Sequence, residues 1–294
     1  MTRSADIALT ALAPIVWGSS YIVSTQALPG FDPMLVSLLR ALPAGLLLLL
    51  LTRQLPPLDW VPRIMILGAL NFAIFWGALF VAAYRLPGGI AATLGALQPL
   101  IVVFLASVVL GTELRLTAIL SSLAGVFGVA LLIWSPGVQF DALGIAAALI
   151  GAVSMAIGTV LSRKWQPSVP PLTFAAWQLT AGGILLLPVV IIIAPDWPHF
   201  DTTALVGLVW LSVIGAALTY VAFFRGLARL GPATVSSLGF LSPLSAVVLG
   251  WLFLNQSLST QQLFGAGVIV VSVWAAQRAA SPKPLFQTAR SKAA

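Results

Sequence analysis

Apolar residues along this chain come in runs as long as a bilayer is thick, separated by short clusters of Gly, Pro, Asp and Ser. At about 20 apolar residues per crossing, the pattern predicts helices over 7–25, 33–52, 62–83, 88–110 and 114–134. Five more follow over 142–161, 171–194, 203–224, 232–254 and 260–277. Several of these begin with Pro in the first turn, where its missing N–H costs nothing. The predicted fold class is all-α and integral to the membrane, with ten transmembrane helices.

The chain also resembles itself. An offset of 144 residues carries Leu94, Gly95, Leu97, Pro99 and Leu100 onto Leu238, Gly239, Leu241, Pro243 and Leu244, and Arg85-Leu86 onto Arg229-Leu230. An offset of 138 residues carries Ser24, Pro29, Pro33 and Gly45 onto Ser162, Pro167, Pro171 and Gly183, the difference being taken up by the longer loop around His199. Each half holds an odd number of spans, so the second enters the membrane upside down relative to the first. The expected domains are two inverted five-helix repeats, 6–135 and 141–278, and a basic cytoplasmic tail, 279–294. Inverted repeats are the mark of alternating-access transporters.

Composition supports the membrane assignment, with 60% hydrophobic and only 7% charged residues, against about 25% charged in soluble domains. The net charge of +7 would raise nucleic acid as a partner if the cations were clustered. Here they lie between spans, and orientation explains them better. Arg3, Arg53, Arg63, Arg115, Arg163, Lys164, Arg225, Arg229, Arg278, Lys283, Arg290 and Lys292 fall on one side and only Arg85 on the other. Both termini are therefore expected in the cytoplasm. The short apolar run after Arg3 continues through Pro14 to Val23, which reads as a retained first helix and not a cleaved signal. Without cysteine, and with one histidine in a loop, neither a metal nor another cofactor is expected.

Candidate chemistry is sparse. Pro99 and Pro243 lie about eleven residues into their spans, near the midplane at about 1.5 Å per residue, with Gly95 and Gly239 one turn earlier. They are either ordinary kinks or paired hinges that expose carbonyls to a substrate. Arg40 is the one strongly charged side chain well inside a span. It either snorkels or bonds carbonyls, or it attracts a substrate carboxylate; its repeat mate, Gln178, is uncharged. Phe72, Trp76, Phe80 and Tyr84 form a stripe on the third helix beside Phe75, and Tyr220 and Phe224 take the positions matched to Trp76 and Phe80. Such a stripe is packing, or it lines a path for an apolar side chain or an ammonium group. Trp17, Tyr21, Asn71, Thr93, Gln98, Trp177, Ser237 and Ser242 are the remaining groups expected near that path.

No acid falls in the middle of a predicted span, which disfavours export of cationic drugs through a buried carboxylate. With Arg40 alone, phosphorylated cargo lacks its usual cluster of cations. There is no nucleotide-binding P-loop and no zinc-protease or serine-hydrolase motif, so an enzyme is not expected. Small residues on the fifth and tenth helices, among them Ser121, Gly125, Gly128, Gly265 and Gly267, suit close helix packing within one chain or between two, as a monomer or a weak homodimer.

Together, Trp17-Gly18-Ser19-Ser20, Leu39-Arg40-Ala41 and the Leu-Gly-x-Leu-x-Pro-Leu segments at Leu94 and Leu238 resemble the drug/metabolite transporter superfamily, specifically the EamA-type ten-helix exporters. Within these the chain looks most like the YddG amino-acid exporter group. The resemblance implies a cavity built from the third, fourth, eighth and ninth helices, with contributions from the first and sixth, and export of small molecules from a bacterial cytoplasm across the inner membrane. The acid common after the fourth and ninth helices of that family is Glu113 here, but its second copy is Ser257, so the two halves have diverged. Export of amino acids, including aromatic and other neutral ones, is the leading expectation. Broader export of hydrophobic drugs or metabolites is the alternative, and a scaffold without transport is a more distant one.

Overall fold

The computed structural model describes residues 2–86, 93–133, 141–193, 198–254 and 257–279. Of the expectations above, positions 88–92, Trp134, Ala194, the tail from 280 and the Tyr84 side chain lie outside the described residues.

Ten helices follow one another: α1 (Arg3–Ala27), α2 (Pro33–Thr52), α3 (61–85), α4 (Thr93–Leu110), α5 (Leu116–Ile133), α6 (Ala142–Lys164), α7 (Pro171–Ile193), α8 (Thr202–Leu230), α9 (Pro232–Phe253) and α10 (Thr260–Ala279). Among the described residues there is no strand. Among the described residues, nine of the helices are long and apolar enough to cross a membrane. The other, α10, matches α2 in length at 20 residues, but Gln261, Gln262, Gln277 and Arg278 make its two ends polar around an apolar middle. Leu50, Val108, Ile192 and Phe253 stand 74%, 85%, 79% and 68% exposed, an apolar outer belt that only lipid solvates. The architecture is that of an all-α integral membrane protein.

Loop aspartates start three of the helices. Asp32 accepts from the Met34 and Leu35 amides, Asp141 from Leu143 and Gly144, and Asp201 from Ala204, each satisfying amides that have no partner inside the helix. The Gly144 amide, then the Arg85 guanidinium at 3.1 Å, hold the Asp141 carboxyl below the usual carboxylate range.

Glycine sets the closest helix contacts. A Cβ on Gly45 would meet the Thr180 backbone at 2.4 Å, and one on Gly183 would meet Leu42 at 2.6 Å, so α2 and α7 touch nearly backbone to backbone. These four residues are two pairs related by the 138-residue offset, and the contact is therefore reciprocal. The α5–α10 contact has the same form, Gly128 against the Gly265 carbonyl and Gly265 against that of Gly128, at 3.1 and 2.8 Å for the added Cβ.

The predicted and observed spans differ most at α8, expected to end at 224 and running to Leu230. Arg225 and Arg229, which a hydropathy pattern assigns to a loop, continue the helix because both reach Asp6 at the start of α1, at 2.8 and 3.2 Å. The Asp6 side chain is only 8% exposed. Gly226 fits this junction closely, since a Cβ there would lie 2.2 Å from the Thr10 hydroxyl.

Candidate functional site

Two helices change their winding at positions matched by the 144-residue offset. Ala69–Ala73 of α3 and Trp210–Leu218 of α8 are π-helical, and the 144-residue offset carries Asn71 onto Gly215. Each stretch receives a polar side chain from the second helix of the other half. In α8, the Gly215 carbonyl accepts from Arg40 Nη2 of α2 at 2.8 Å and from the Thr219 hydroxyl at 2.9 Å. In α3, Asn71 Nδ2 donates to Gln178 Oε1 of α7 at 2.7 Å and to the Ser162 hydroxyl of α6 at 3.0 Å. Arg40 and Gln178 are repeat mates, so one contact is made twice with different chemistry. Glycine at 215 leaves its carbonyl open to a bulky guanidinium, whereas at 71 a side-chain amide fills that space.

The Arg40 guanidinium is buried, 5% exposed, with its centre 4.7 Å from the Trp76 ring centroid. Among the described residues no carboxylate pairs with it, and its Nε has no protein partner. Asn71 Oδ1 and Gln178 Nε2 likewise have none. An unpaired buried polar atom costs roughly 1–3 kcal/mol, and a charge more. Three of the seven such atoms among the described residues lie at the π-helical contacts, and π-bulges mark functional sites in other proteins.

Aromatic rings fill the space between. Tyr220 lies 4.7 Å from Phe72, 4.9 Å from Trp17, 6.1 Å from Trp76, 5.8 Å from Phe223 and 5.9 Å from Phe224, centroid to centroid. Phe174 extends the block at 5.3 Å from Phe224. Trp17 is fixed by its indole N–H, which donates to the Thr219 hydroxyl at 3.0 Å. Thus Trp17, Phe72, Trp76, Tyr220 and Phe224 from the sequence list converge from α1, α3 and α8, with Arg40 at the edge.

The other candidates are placed differently. Phe75 and Phe80 are half-buried against the same core. Tyr21, one turn beyond Trp17, is 44% exposed. Trp177 is turned to the loop after α2, where its N–H donates to the Gln54 carbonyl at 2.7 Å. Ser237 faces α10, accepting from Gln277 Nε2 at 2.9 Å. Thr93, Gln98 and Ser242 are half-buried near the helix breaks.

Both α4 and α9 are interrupted. In α4 the helix yields to a turn at Ala96-Leu97 and resumes at Gln98, with Pro99 in the first turn; in α9 it yields at Gly239-Phe240 and resumes at Leu241, just before Pro243. Proline has no N–H for the carbonyl four residues back, here Gly95 and Gly239, and tighter bonds take over: Leu97 to Leu94 at 3.1 Å, Gly239 to Ser236 at 2.9 Å and Ser242 to Gly239 at 3.0 Å. The interruption lets α9 serve two neighbours, Pro232–Leu238 packing on α4 and Leu241–Phe253 on α1. Gln98 Oε1 lies 4.0 Å from where a Cβ on Gly239 would be, so the two breaks adjoin.

Sequence reading missed Ser162, Phe174, Thr219, Phe223 and the Asp6–Arg225–Arg229 cluster. The offsets held a clue to one partner: Asn71 maps onto Gly215, and a glycine opposite a polar residue signals an exposed carbonyl. Nothing in the sequence signals the π winding.

A helical bundle with an apolar outer belt, two interrupted helices and a buried polar and aromatic centre is an architecture suited to a membrane transporter. The model of the EamA-like transporter family matches residues 5–134 and again 142–276. Protein PecM of Dickeya dadantii is 43% identical over 94% of this chain and 95% of its own length. An inner membrane transporter of Escherichia coli, YedA, is 28% identical over 88% of this chain and 86% of its own. A crystal structure superposes with a TM-score of 0.82 at 20% identity, covering 95% of this chain and 98% of the other, which speaks for the fold. The chain belongs to the EamA-like transporter family, within the drug/metabolite transporter superfamily that its motifs resemble.

Proposed function

We propose that the protein exports amino acids, aromatic and other neutral ones included, from a bacterial cytoplasm across the inner membrane by alternating access of two inverted halves, 6–135 and 141–278, with both termini cytoplasmic. The observation that carries this reading is Arg40, a buried cation without a carboxylate partner among the described residues, seated on Trp76 beside a block of seven aromatic rings. A solute with a carboxylate and an apolar side chain complements both at once. The breaks before Pro99 and Pro243, at matched depth in α4 and α9, serve as the hinges.

Flux of radiolabelled amino acids in proteoliposomes tests the reading: saturable uptake of aromatic and neutral ones is expected, and no saturable flux of any overturns it. Pro99→Ala and Pro243→Ala should each lower turnover more than they lower expression. The same rings also suit hydrophobic metabolites without a carboxylate. Competition separates the two readings: if Arg40 is used, a compound without a carboxylate should displace an amino acid about tenfold more weakly than an amino acid of like side chain.

A further inference from the structure

Away from the aromatic block, the outer surface of the α5–α10 pair is hollowed into a groove of 590 Å³. Its floor includes the buried Ser121 and Ser272, and its walls Leu120, Phe264 and Val271, 55%, 63% and 62% exposed. Gly267 opens it further, since an added Cβ there meets nothing within 4 Å. From Phe264 to Ala275 the groove follows α10 for about 16 Å at about 1.5 Å per residue. That is close to half of a roughly 30 Å hydrocarbon core, the depth of a single leaflet.

One end of this groove is basic. Arg278 lies about one turn beyond Ala275 on the same helical face, its guanidinium 4.3 Å from the centroid of the exposed Trp274 ring. Arg115, just before α5, donates to the Ala279 carbonyl and so spans the two helix ends. Glu113, 84% exposed, reaches Arg115 at 3.6 Å. A Trp beside an Arg at a helix end is the chemistry of the headgroup layer.

We propose that this groove holds one acyl chain of an anionic phospholipid, with its phosphate against Arg278 and Arg115. The groove's concave form, its single-leaflet length and its basic mouth all match such a lipid. A second copy of the chain would instead have to cover both arginines.

Native mass spectrometry of the full chain, released from vesicles of equal phosphatidylglycerol and phosphatidylcholine with identical acyl chains, tests this. One retained lipid per chain is expected, enriched in phosphatidylglycerol. Arg278→Gln should lower that enrichment about fivefold, the effect of one basic residue near an anionic surface. Gly267→Leu, which puts a side chain into the space that Gly267 leaves open, should remove retained lipid of either headgroup. Retention indifferent to headgroup, or unchanged in Gly267→Leu, overturns the proposal. A mass of two chains that Gly267→Leu reduces to one would identify a second copy as the occupant and overturn it equally. Arg278→Gln alters an exposed side chain and keeps the test decisive should Gly267→Leu fail to fold. Neither variant touches the aromatic block, so the outcome is independent of the flux assay.

Discussion

Arg40 illustrates how one residue sets stability against use. Its guanidinium bears the cost of leaving water and recovers, among the described residues, the Gly215 carbonyl contact and the Trp76 face. Replacing a buried charge with an apolar residue of similar volume is often neutral or stabilising. Arg40→Met should therefore keep or raise the unfolding midpoint in detergent, while amino-acid flux falls about tenfold or more, as expected when a charge-assisted contact is lost. A drop in midpoint that parallels the drop in flux would make Arg40 a structural residue. The sequence showed Arg40 as an oddity in an apolar span. It did not show the carbonyl that holds it, because that carbonyl belongs to a helix 175 residues away.

At the scale of the helix, the two π-helical stretches differ in what they tolerate. A Cβ on Gly158 of α6 would lie 2.1 Å from Asn71 Oδ1, whereas one on Gly215 of α8 would find its nearest atoms at 3.5 and 3.6 Å. Gly158→Ala should displace the Asn71 amide from Gln178 and cost about 1–3 kcal/mol. Gly215→Ala should leave the unfolding midpoint within a degree or two, and thermal unfolding of the two variants checks both. The start of α6 gives a pH prediction. The Asp141 carboxyl is lowered by the Gly144 amide and by Arg85, so its contribution to folding is complete above the ordinary carboxylate value near 4 and is lost as pH falls through the lowered one. Between pH 5 and 2 the unfolding midpoint should fall further in the parent than in Asp141→Asn, which keeps the cap but cannot titrate. Helix positions were legible because hydropathy measures transfer from water to lipid, the same free energy that places a span. The end of α8 was not, because a distant carboxylate changed what Arg225 and Arg229 cost.

Across the molecule, Asp6 joins the first helix of one half to the third helix of the other through Arg225 and Arg229. Asp6→Asn removes both ion pairs at a side chain that is nearly buried, with Arg229 half exposed and so weakly held. If this junction closes one end of the path, Asp6→Asn should speed thiol labelling of a cysteine placed at Leu227, itself 2% exposed. The chain has no native cysteine to interfere. Unchanged labelling would show that the cluster only braces α1 against α8.

The sequence by itself determined the helices, their order and the two proline breaks, since each depends on a residue and its near neighbours along the chain, and it determined the offsets of 138 and 144 residues by likeness of residue to residue. Only the tertiary structure decided which candidates meet. Trp17, Trp76 and Tyr220 share one block while Trp177 turns away to Gln54, although all four are aromatic residues within apolar spans. The direction of a side chain around its helix is set by the neighbour against which the helix packs, and here glycine-mediated contacts such as Gly45 on Thr180 fix that rotation. Hydropathy reports how deep a residue sits, and packing alone decides which way it faces.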